Sequence, residues 1–193
     1  MPAKMIIVAG PPGSGKSTVF PVSGFGVDFF NADDRAAALN DGSYLAIPLE
    51  IRDRVNGTFE AFVLDHIERR VNCAFETTLR NQITFAQASA ARRAGFVVEM
   101  RYLALETFAM HVERVKMRAD KGGHSAPESV LRGIYRASLA NLPRALREMD
   151  FVHVYDNSRW GVVPRVLVQA EQGVIVFQAD QLPNWLVEVL AQV

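Results

Sequence analysis

An eight-residue motif near the amino terminus constrains the fold of this chain more than any other feature. Residues 10–17 are Gly-Pro-Pro-Gly-Ser-Gly-Lys-Ser, which fits the pattern G-x-x-x-x-G-K-[ST] of a phosphate-binding loop. Residues 5–9 are Met-Ile-Ile-Val-Ala, an apolar run that predicts a strand buried on both faces directly before the loop. In this arrangement successive backbone N–H groups bind nucleotide phosphates. The motif therefore predicts an α/β nucleotide-binding domain.

We expect specific roles for two side chains of the motif. Lys16 is expected to neutralise the terminal phosphates, and the Ser17 hydroxyl is expected to bind Mg²⁺. The other residues of the loop are expected to contact the nucleotide; they are Gly10, Pro11, Pro12, Gly13, Ser14 and Gly15.

The composition excludes several classes of protein. With 193 residues, 49% of them hydrophobic, the chain can bury one core, and we expect a single domain over residues 1–193. Lys plus Arg and Asp plus Glu balance at 21 each, which argues against a nucleic-acid or membrane partner. The single cysteine, Cys73, excludes an internal disulfide. No apolar run is long enough to span a bilayer, and the first residues leave no room for a signal sequence, so the expected location is the cytoplasm.

Strand and helix patterns alternate along most of the chain. Strands are predicted over residues 5–9, 27–30, 71–75, 96–104 and 151–155, and helices over 35–39, 48–70, 82–94, 107–119 and 127–148. This alternation predicts a three-layer α/β fold, with a mostly parallel five-stranded sheet and helices on both faces. A hairpin over residues 165–178 and a short helix over 182–191 are predicted to follow. Within the single domain we expect a core (4–158), a lid (about 119–127) and a C-terminal extension (159–193).

Acidic residues follow two of the predicted strands, at the edge of the sheet where ligands bind in such folds. Asp33 could accept the proton of an attacking hydroxyl, as phosphoryl transfer requires. The alternative is that Asp33 or Asp34 only caps the next helix, and both can hold, one for each residue. Glu76 closes an otherwise apolar strand and is a candidate for binding the second substrate.

Two pairs of arginines flank a glycine-rich segment at residues 121–126. Arg114 and Arg118 are four residues apart on one predicted helix, and Arg132 and Arg136 are four apart on the next. Their guanidinium groups could stabilise charge on a transferred phosphoryl group, and the arrangement is typical of a cationic lid. The alternative is two solvated helix faces, and the sequence does not select one arginine within each pair.

Five segments together resemble the zeta-toxin family of P-loop kinases, in particular its stand-alone bacterial branch. They are residues 10–18, Asn31-Ala32-Asp33, Phe75-Glu76-Thr77-Thr78-Leu79, Gly122-Gly123-His124 and Val154-Tyr155-Asp156-Asn157-Ser158. The resemblance covers roughly residues 4–158 in order and spacing. It implies a P-loop kinase fold with ATP and Mg²⁺ as cofactors, and it extends the expected nucleotide contacts to Thr18 and Asn157.

The resemblance also implies an activity, the phosphorylation of UDP-N-acetylglucosamine on a sugar hydroxyl. By the same resemblance Asp33 is the general base, Glu76 and Thr78 contact the acceptor, and Arg118 and Arg132 serve the phosphates. The resemblance allows an inhibitor (antitoxin) protein as a partner, but nothing in this chain indicates one, and toxicity does not follow from the resemblance. Residues 40–48 depart from the family's acceptor-binding pattern. A kinase of another acceptor, such as a nucleoside, an antibiotic or a nucleic-acid end, and an ATP-dependent switch without an acceptor are the alternatives.

Overall fold

The computed structural model describes residues 1–120 and 126–193, so the segment 121–125 of the predicted lid lies outside the described residues. Seven strands form one sheet in the order β2-β3-β1-β4-β5-β6-β7. The strands are β1 Lys4–Ala9, β2 Asp28–Phe30, β3 Cys73–Thr77, β4 Val97–Ala104, β5 Phe151–Asp156, β6 Arg165–Glu171 and β7 Val174–Gln178. β1 to β5 are parallel, and β6 and β7 add to the sheet in antiparallel pairing.

Helices connect the parallel strands as the alternating pattern predicts. They are α1 Lys16–Val19, α2 Ala32–Ala38, α3 Leu49–Arg69, α4 Ile83–Arg93, α5 Phe108–Ala119, α6 Glu128–Glu148 and α7 Asn184–Leu190, with a 3₁₀ helix at Val22–Phe25. The predicted cap of α5 is present, because the Thr107 side chain accepts a hydrogen bond from the N–H of Met110. None of these helices is long and apolar enough to cross a membrane.

The two faces of the sheet are covered unequally. The larger core packs α3, α4, α6 and α7 against one face, with Tyr102, Phe75 and Leu142 among its fully buried residues. In the described part of the chain, the smaller cluster on the other face is packed mainly by residues of the segment 19–27. The helix after the phosphate loop covers little of this face because it is short. α1 ends after four residues, since Pro21 follows it closely.

The fold class is confirmed, with three differences in detail. The predicted hairpin forms, but it extends the sheet from five strands to seven instead of standing apart from it. β3 continues to Thr77, two residues beyond its predicted end, so Glu76 is part of the strand and not of the loop after it. α2 begins at Ala32, three residues before its predicted start.

Candidate functional site

The phosphate loop is shaped by glycines that no other residue could replace. Gly13 and Gly15 have φ angles of 78° and 89°, in the left-handed region. A Cβ atom on Gly13 would lie 2.5 Å from the backbone oxygen of His111, and one on Gly15 would lie 2.4 Å from Asn157 Nδ2. Both glycines therefore allow the loop to turn and to pack closely against α5 and the end of β5.

The Lys16 ammonium lies inside this loop. Its Nζ donates hydrogen bonds to the carbonyl oxygens of Gly10 (2.8 Å) and Pro11 (3.2 Å), and it lies 3.8 Å from Glu76 Oε1. Burial lowers the pKa of Lys16, while the carboxylates of Glu76 and Asp33 partly restore it. The cation is thus positioned among acceptors at the centre of the loop, with two acidic groups within electrostatic reach.

Ser17 and Glu76 join the loop to the neighbouring strand. The Ser17 hydroxyl donates a hydrogen bond of 2.8 Å to Glu76 Oε2. β3 lies beside β1 in the sheet, with Val8 opposite Glu76, and this pairing brings the carboxylate next to the loop. One oxygen of Glu76 therefore contacts Ser17 while the other faces Lys16.

The Asp33 carboxylate is available because another residue caps its helix. Asn31 accepts hydrogen bonds from the backbone N–H groups of Asp33 and Asp34, at 3.0 and 3.3 Å, so neither acid is the cap. Asp34 accepts a hydrogen bond of 2.9 Å from the Tyr44 hydroxyl. Asp33 lines the main cavity and Asp34 does not. The capping alternative is therefore wrong for both acids, and of the two only Asp33 lines the cavity.

A cavity of about 980 Å³ extends to both sides of the phosphate loop. The sheet order places β3 and β2 on one side of β1, and β4 and β5 on the other. On the β2–β3 side the polar lining residues are Asn31, Asp33, Arg52, Asn56, Glu60, Glu76, Thr77, Thr78, Arg80, Asn81 and Thr84. On the β4–β5 side the lining residues are Arg114, Met117, Arg118, Asn157, Arg159, Trp160, Gly161 and Val162. One cavity can therefore hold two ligands that meet at the loop.

Asn157 lies at the β5 end of this cavity, but its side-chain amide is hydrogen-bonded to the phosphate loop. Its Nδ2 donates a hydrogen bond of 2.8 Å to the backbone oxygen of Ser14. Arg114 in turn donates to the backbone oxygens of Asn157 (2.8 Å) and Ser158 (3.2 Å). The two residues form a network that fixes the loop against the sheet.

His111 is a second anchor of the loop, which the sequence interpretation missed. Its Nε2 accepts a hydrogen bond of 3.0 Å from the N–H of Leu105, and its Nδ1 lies 2.8 Å from the Pro12 oxygen. Nδ1 must carry the proton, because a carbonyl can only accept and the Leu105 N–H can only donate. Burial lowers the pKa of His111 to about 4, so the ring is neutral near pH 7. The signal in the sequence was its position on the same helix face as Arg114 and Arg118.

Arg118 and Arg132, the two arginines expected to serve the phosphates, lie in different surroundings. Arg118 lines the cavity, and its charge lowers the pKa of Lys16. Arg132 pairs with Glu128 at 2.7 Å and stacks over the Phe108 ring at 4.3 Å, outside the cavity lining. Residues 121–125, which include Gly122, Gly123 and His124 of the predicted lid, lie outside the described residues. The assignment of Arg132 to the phosphates stays a prediction.

The residues at the loop fit Mg²⁺. This ion prefers oxygen ligands and is commonly held by one or two protein groups together with substrate phosphates. Ser17 supplies a hydroxyl and Glu76 a carboxylate, already joined by a hydrogen bond, and Asp33 adds a second carboxylate nearby. Among the described residues no group of three or more His, Cys, Asp or Glu is placed to hold a metal ion by itself.

Comparison with known proteins gives one relative in sequence and several likenesses in fold. No protein-family model matches the chain. An uncharacterized protein of Haemophilus influenzae is 25% identical over 136 residues, covering 70% of this chain and 94% of that protein.

Two solved structures share the fold. The AvrRxo1-ORF1:-ORF2 complex with ATP has a TM-score of 0.65 at 13% identity, over 90% of this chain; this chain spans only 60% of the length of that one. The PezAT chromosomal toxin-antitoxin system of Streptococcus pneumoniae has a TM-score of 0.63 at 14% identity, over 99% of this chain and 86% of that one.

The topology, the phosphate loop and these likenesses define the class: this chain has the α/β fold of the P-loop kinases. At such low identity the likenesses establish the fold alone. The resemblance to the zeta-toxin kinases is confirmed at that level, through the PezAT structure. Its finer consequences, the acceptor and the roles of single residues, are matters of proposal.

Proposed function

We propose that this protein is an ATP-dependent phosphotransferase that moves the terminal phosphoryl group to a hydroxyl of a small acceptor. The observation that carries the proposal is the convergence of Lys16, Ser17, Asp33 and Glu76 on one cavity, which continues to both sides of the phosphate loop. A protein that only hydrolysed ATP would not need the polar half of the cavity on the β2–β3 side.

The residues support a direct transfer. The acceptor oxygen forms a bond to the terminal phosphorus while the bond from that phosphorus to the bridging oxygen of ADP breaks. Asp33 accepts the hydroxyl proton, since it is the acid of α2 that lines the cavity. Lys16 and Arg118 stabilise the negative charge of the phosphoryl oxygens in the transition state. By the resemblance, Arg132 is proposed to serve the same phosphoryl oxygens.

Ser17 and Glu76 are the groups proposed to hold Mg²⁺, Ser17 directly and Glu76 through its hydrogen bond to that hydroxyl. When bound, the ion would neutralise phosphate charge and orient the terminal group. This assigns Glu76 a role at the loop in addition to the acceptor contact that the resemblance implies.

The acceptor is proposed to be a nucleotide sugar such as a UDP-sugar. Glu76, which contacts the loop, and Thr78 both line the β2–β3 half of the cavity, and a sugar hydroxyl has to be placed beside the loop for attack. Arg52 and Arg80 line the same half, and guanidinium groups suit the diphosphate of a sugar nucleotide. Asn56 and Asn81 add donors and acceptors that fit a base or a sugar.

An inhibitor protein is proposed as the macromolecular partner, and the cytoplasm as the location. The support is the shared fold with PezAT, which is a toxin-antitoxin system. Co-purification of the tagged chain from its own host tests this part independently of the enzymatic proposal.

The enzymatic test compares ATP consumption in water alone with consumption in the presence of UDP-N-acetylglucosamine and of a metabolite pool. We expect Mg²⁺-dependent formation of a phosphorylated sugar nucleotide, identified by mass spectrometry, and none with Lys16→Ala. Lys16 faces loop carbonyls and not the apolar core, so this variant should fold normally. A phosphorylated product from another metabolite would reject the acceptor and keep the kinase. ATP consumption that no metabolite stimulates would reject the transfer reaction itself.

A further inference from the structure

Trp160 lies at the cavity in an unusual setting for a large aromatic residue. It belongs to the segment that follows β5, and 69% of its surface is exposed. It nevertheless lines the same cavity as the phosphate loop, on the β4–β5 side. An indole that lines a cavity gains free energy when a flat apolar group covers its exposed face, so Trp160 is a candidate for a ligand contact.

Arg114 fixes the orientation of this indole. Its guanidinium carbon lies 4.4 Å from the Trp160 ring centre. The same guanidinium is held by the backbone oxygens of Asn157 and Ser158, at 2.8 and 3.2 Å. One face of the indole is therefore covered by a cation that is itself anchored. With 69% of the residue exposed, the opposite face is open.

The position of the open indole face indicates which ligand would contact it. Asp33 and Glu76, which approach Lys16, lie on the β2–β3 side, so the acceptor is assigned to that side. The remaining part of the phosphoryl donor extends to the other side, where Trp160 lies. A nucleobase is a flat π system of the size that an indole face accommodates.

We propose that Trp160, oriented by Arg114, is the surface on which the nucleobase of the phosphoryl donor stacks. This inference rests on the proposed function, because it concerns the donor of the same reaction. Stacking engages the face of a base and not its hydrogen-bonding edge, and it is tolerant of base identity. Stacking on Trp160 alone therefore predicts little discrimination between ATP and GTP at this site.

The test separates binding of the base from binding of the phosphates. Calorimetric titrations compare ATP, GTP and inorganic tripolyphosphate on the wild type, Trp160→Ala and Trp160→Phe. Loss of a stacked aromatic weakens base binding by about ten- to a hundredfold, so Kd for ATP and GTP should rise by that factor in Trp160→Ala. Trp160→Phe should restore most of the affinity. Kd for tripolyphosphate should be the same in all three proteins.

Val163→Ser is the matched control, because Val163 is 87% exposed on the same segment and does not line the cavity. It should bind every ligand like the wild type. Trp160 is one of two tryptophans, and Trp185 is only 7% exposed, so ATP and GTP should also change the wild-type fluorescence more than tripolyphosphate does.

Three results would overturn the inference. Unchanged ATP binding by Trp160→Ala would place the base elsewhere, while leaving the proposed kinase intact. Equal weakening of ATP and tripolyphosphate would show that Trp160 only supports the loop. A wild type that binds none of the three ligands would reject this inference together with the proposed function.

Discussion

Ser17 and Glu76, which are 59 positions apart in the chain, are joined by a hydrogen bond of 2.8 Å from the serine hydroxyl to Oε2 of the glutamate. The other carboxylate oxygen lies 3.8 Å from the Lys16 ammonium. Glu76 therefore contacts both of the loop side chains that are expected to act on phosphate and metal. This relationship arises from the parallel pairing of β1 with β3, and it is the basis of the proposed role of Glu76 at the metal, which the sequence context of this residue does not indicate.

Glu76→Gln tests this role. The glutamine can still accept the Ser17 hydrogen bond but loses the charge that supports the metal and faces Lys16. We expect kcat to fall and the Mg²⁺ concentration for half-maximal activity to rise by about ten- to a hundredfold, as for other groups that orient a metal ligand. Glu60→Gln, at a second acid of the same cavity, is the control and should leave the Mg²⁺ dependence unchanged. A rise only in KM for the acceptor would assign Glu76 to acceptor binding alone.

Asp33→Asn tests the general base. The substitution keeps the shape of the side chain and removes the proton acceptor, so we expect kcat to fall by about a hundredfold or more with ATP affinity little changed. Asp34→Asn is the control, because Asp34 is bonded to Tyr44 and does not line the cavity. Steady-state rates and ATP titrations of both variants provide the measurement. A greater loss of kcat in Asp34→Asn would show that Asp34, and not Asp33, is the general base.

Arg118→Lys and Arg132→Lys test stabilisation of the transition state. A lysine keeps the charge but loses the planar fork that can bind two phosphoryl oxygens, so kcat should fall by about tenfold or more while KM for ATP changes less. Arg136→Lys, one helical turn from Arg132 on α6, is the control and should leave kcat unchanged. Arg114 cannot serve as a control, because it anchors the loop through the backbone oxygens of Asn157 and Ser158. Effects confined to KM would indicate ground-state binding, and a larger kcat effect in Arg136→Lys would move the α6 assignment by one turn.

The lowered pKa of the buried His111 predicts that the folded protein loses stability in acid. Burial lowers its pKa from an ordinary value of 6.5 to about 4, so between these values the unfolded chain binds a proton that the folded chain excludes. The stabilising contribution is complete above pH 6.5 and is lost as the pH falls toward 4, which amounts to about 3 kcal/mol in the free energy of unfolding. Denaturant unfolding between pH 7.5 and 4.5 measures this slope. His111→Gln, which has no titrating group, should flatten it; an unchanged slope would mean that other groups cause the acid sensitivity.

The sequence by itself determined the class of fold and the position of the loop. The eight-residue motif, the apolar strand before it and the alternation of periodic segments are local features, and local features specify elements with little help from the rest of the chain. The short α1 is a further example, because Pro21 limits it whatever packs around it. Thr107 likewise caps α5 as its side chain predicts.

Tertiary structure decided which of the candidate side chains lie close together. The choice between Asp33 and Asp34 depends on Asn31, which caps the helix, and on Tyr44, which reaches Asp34 from a loop ten residues away. The anchoring of the loop by His111 and Asn157 joins segments 99 and 143 positions apart. Such contacts are set by strand order and register, which bring distant residues to one edge of the sheet. The periodicity of residues within a single segment carries no information about these long-range contacts.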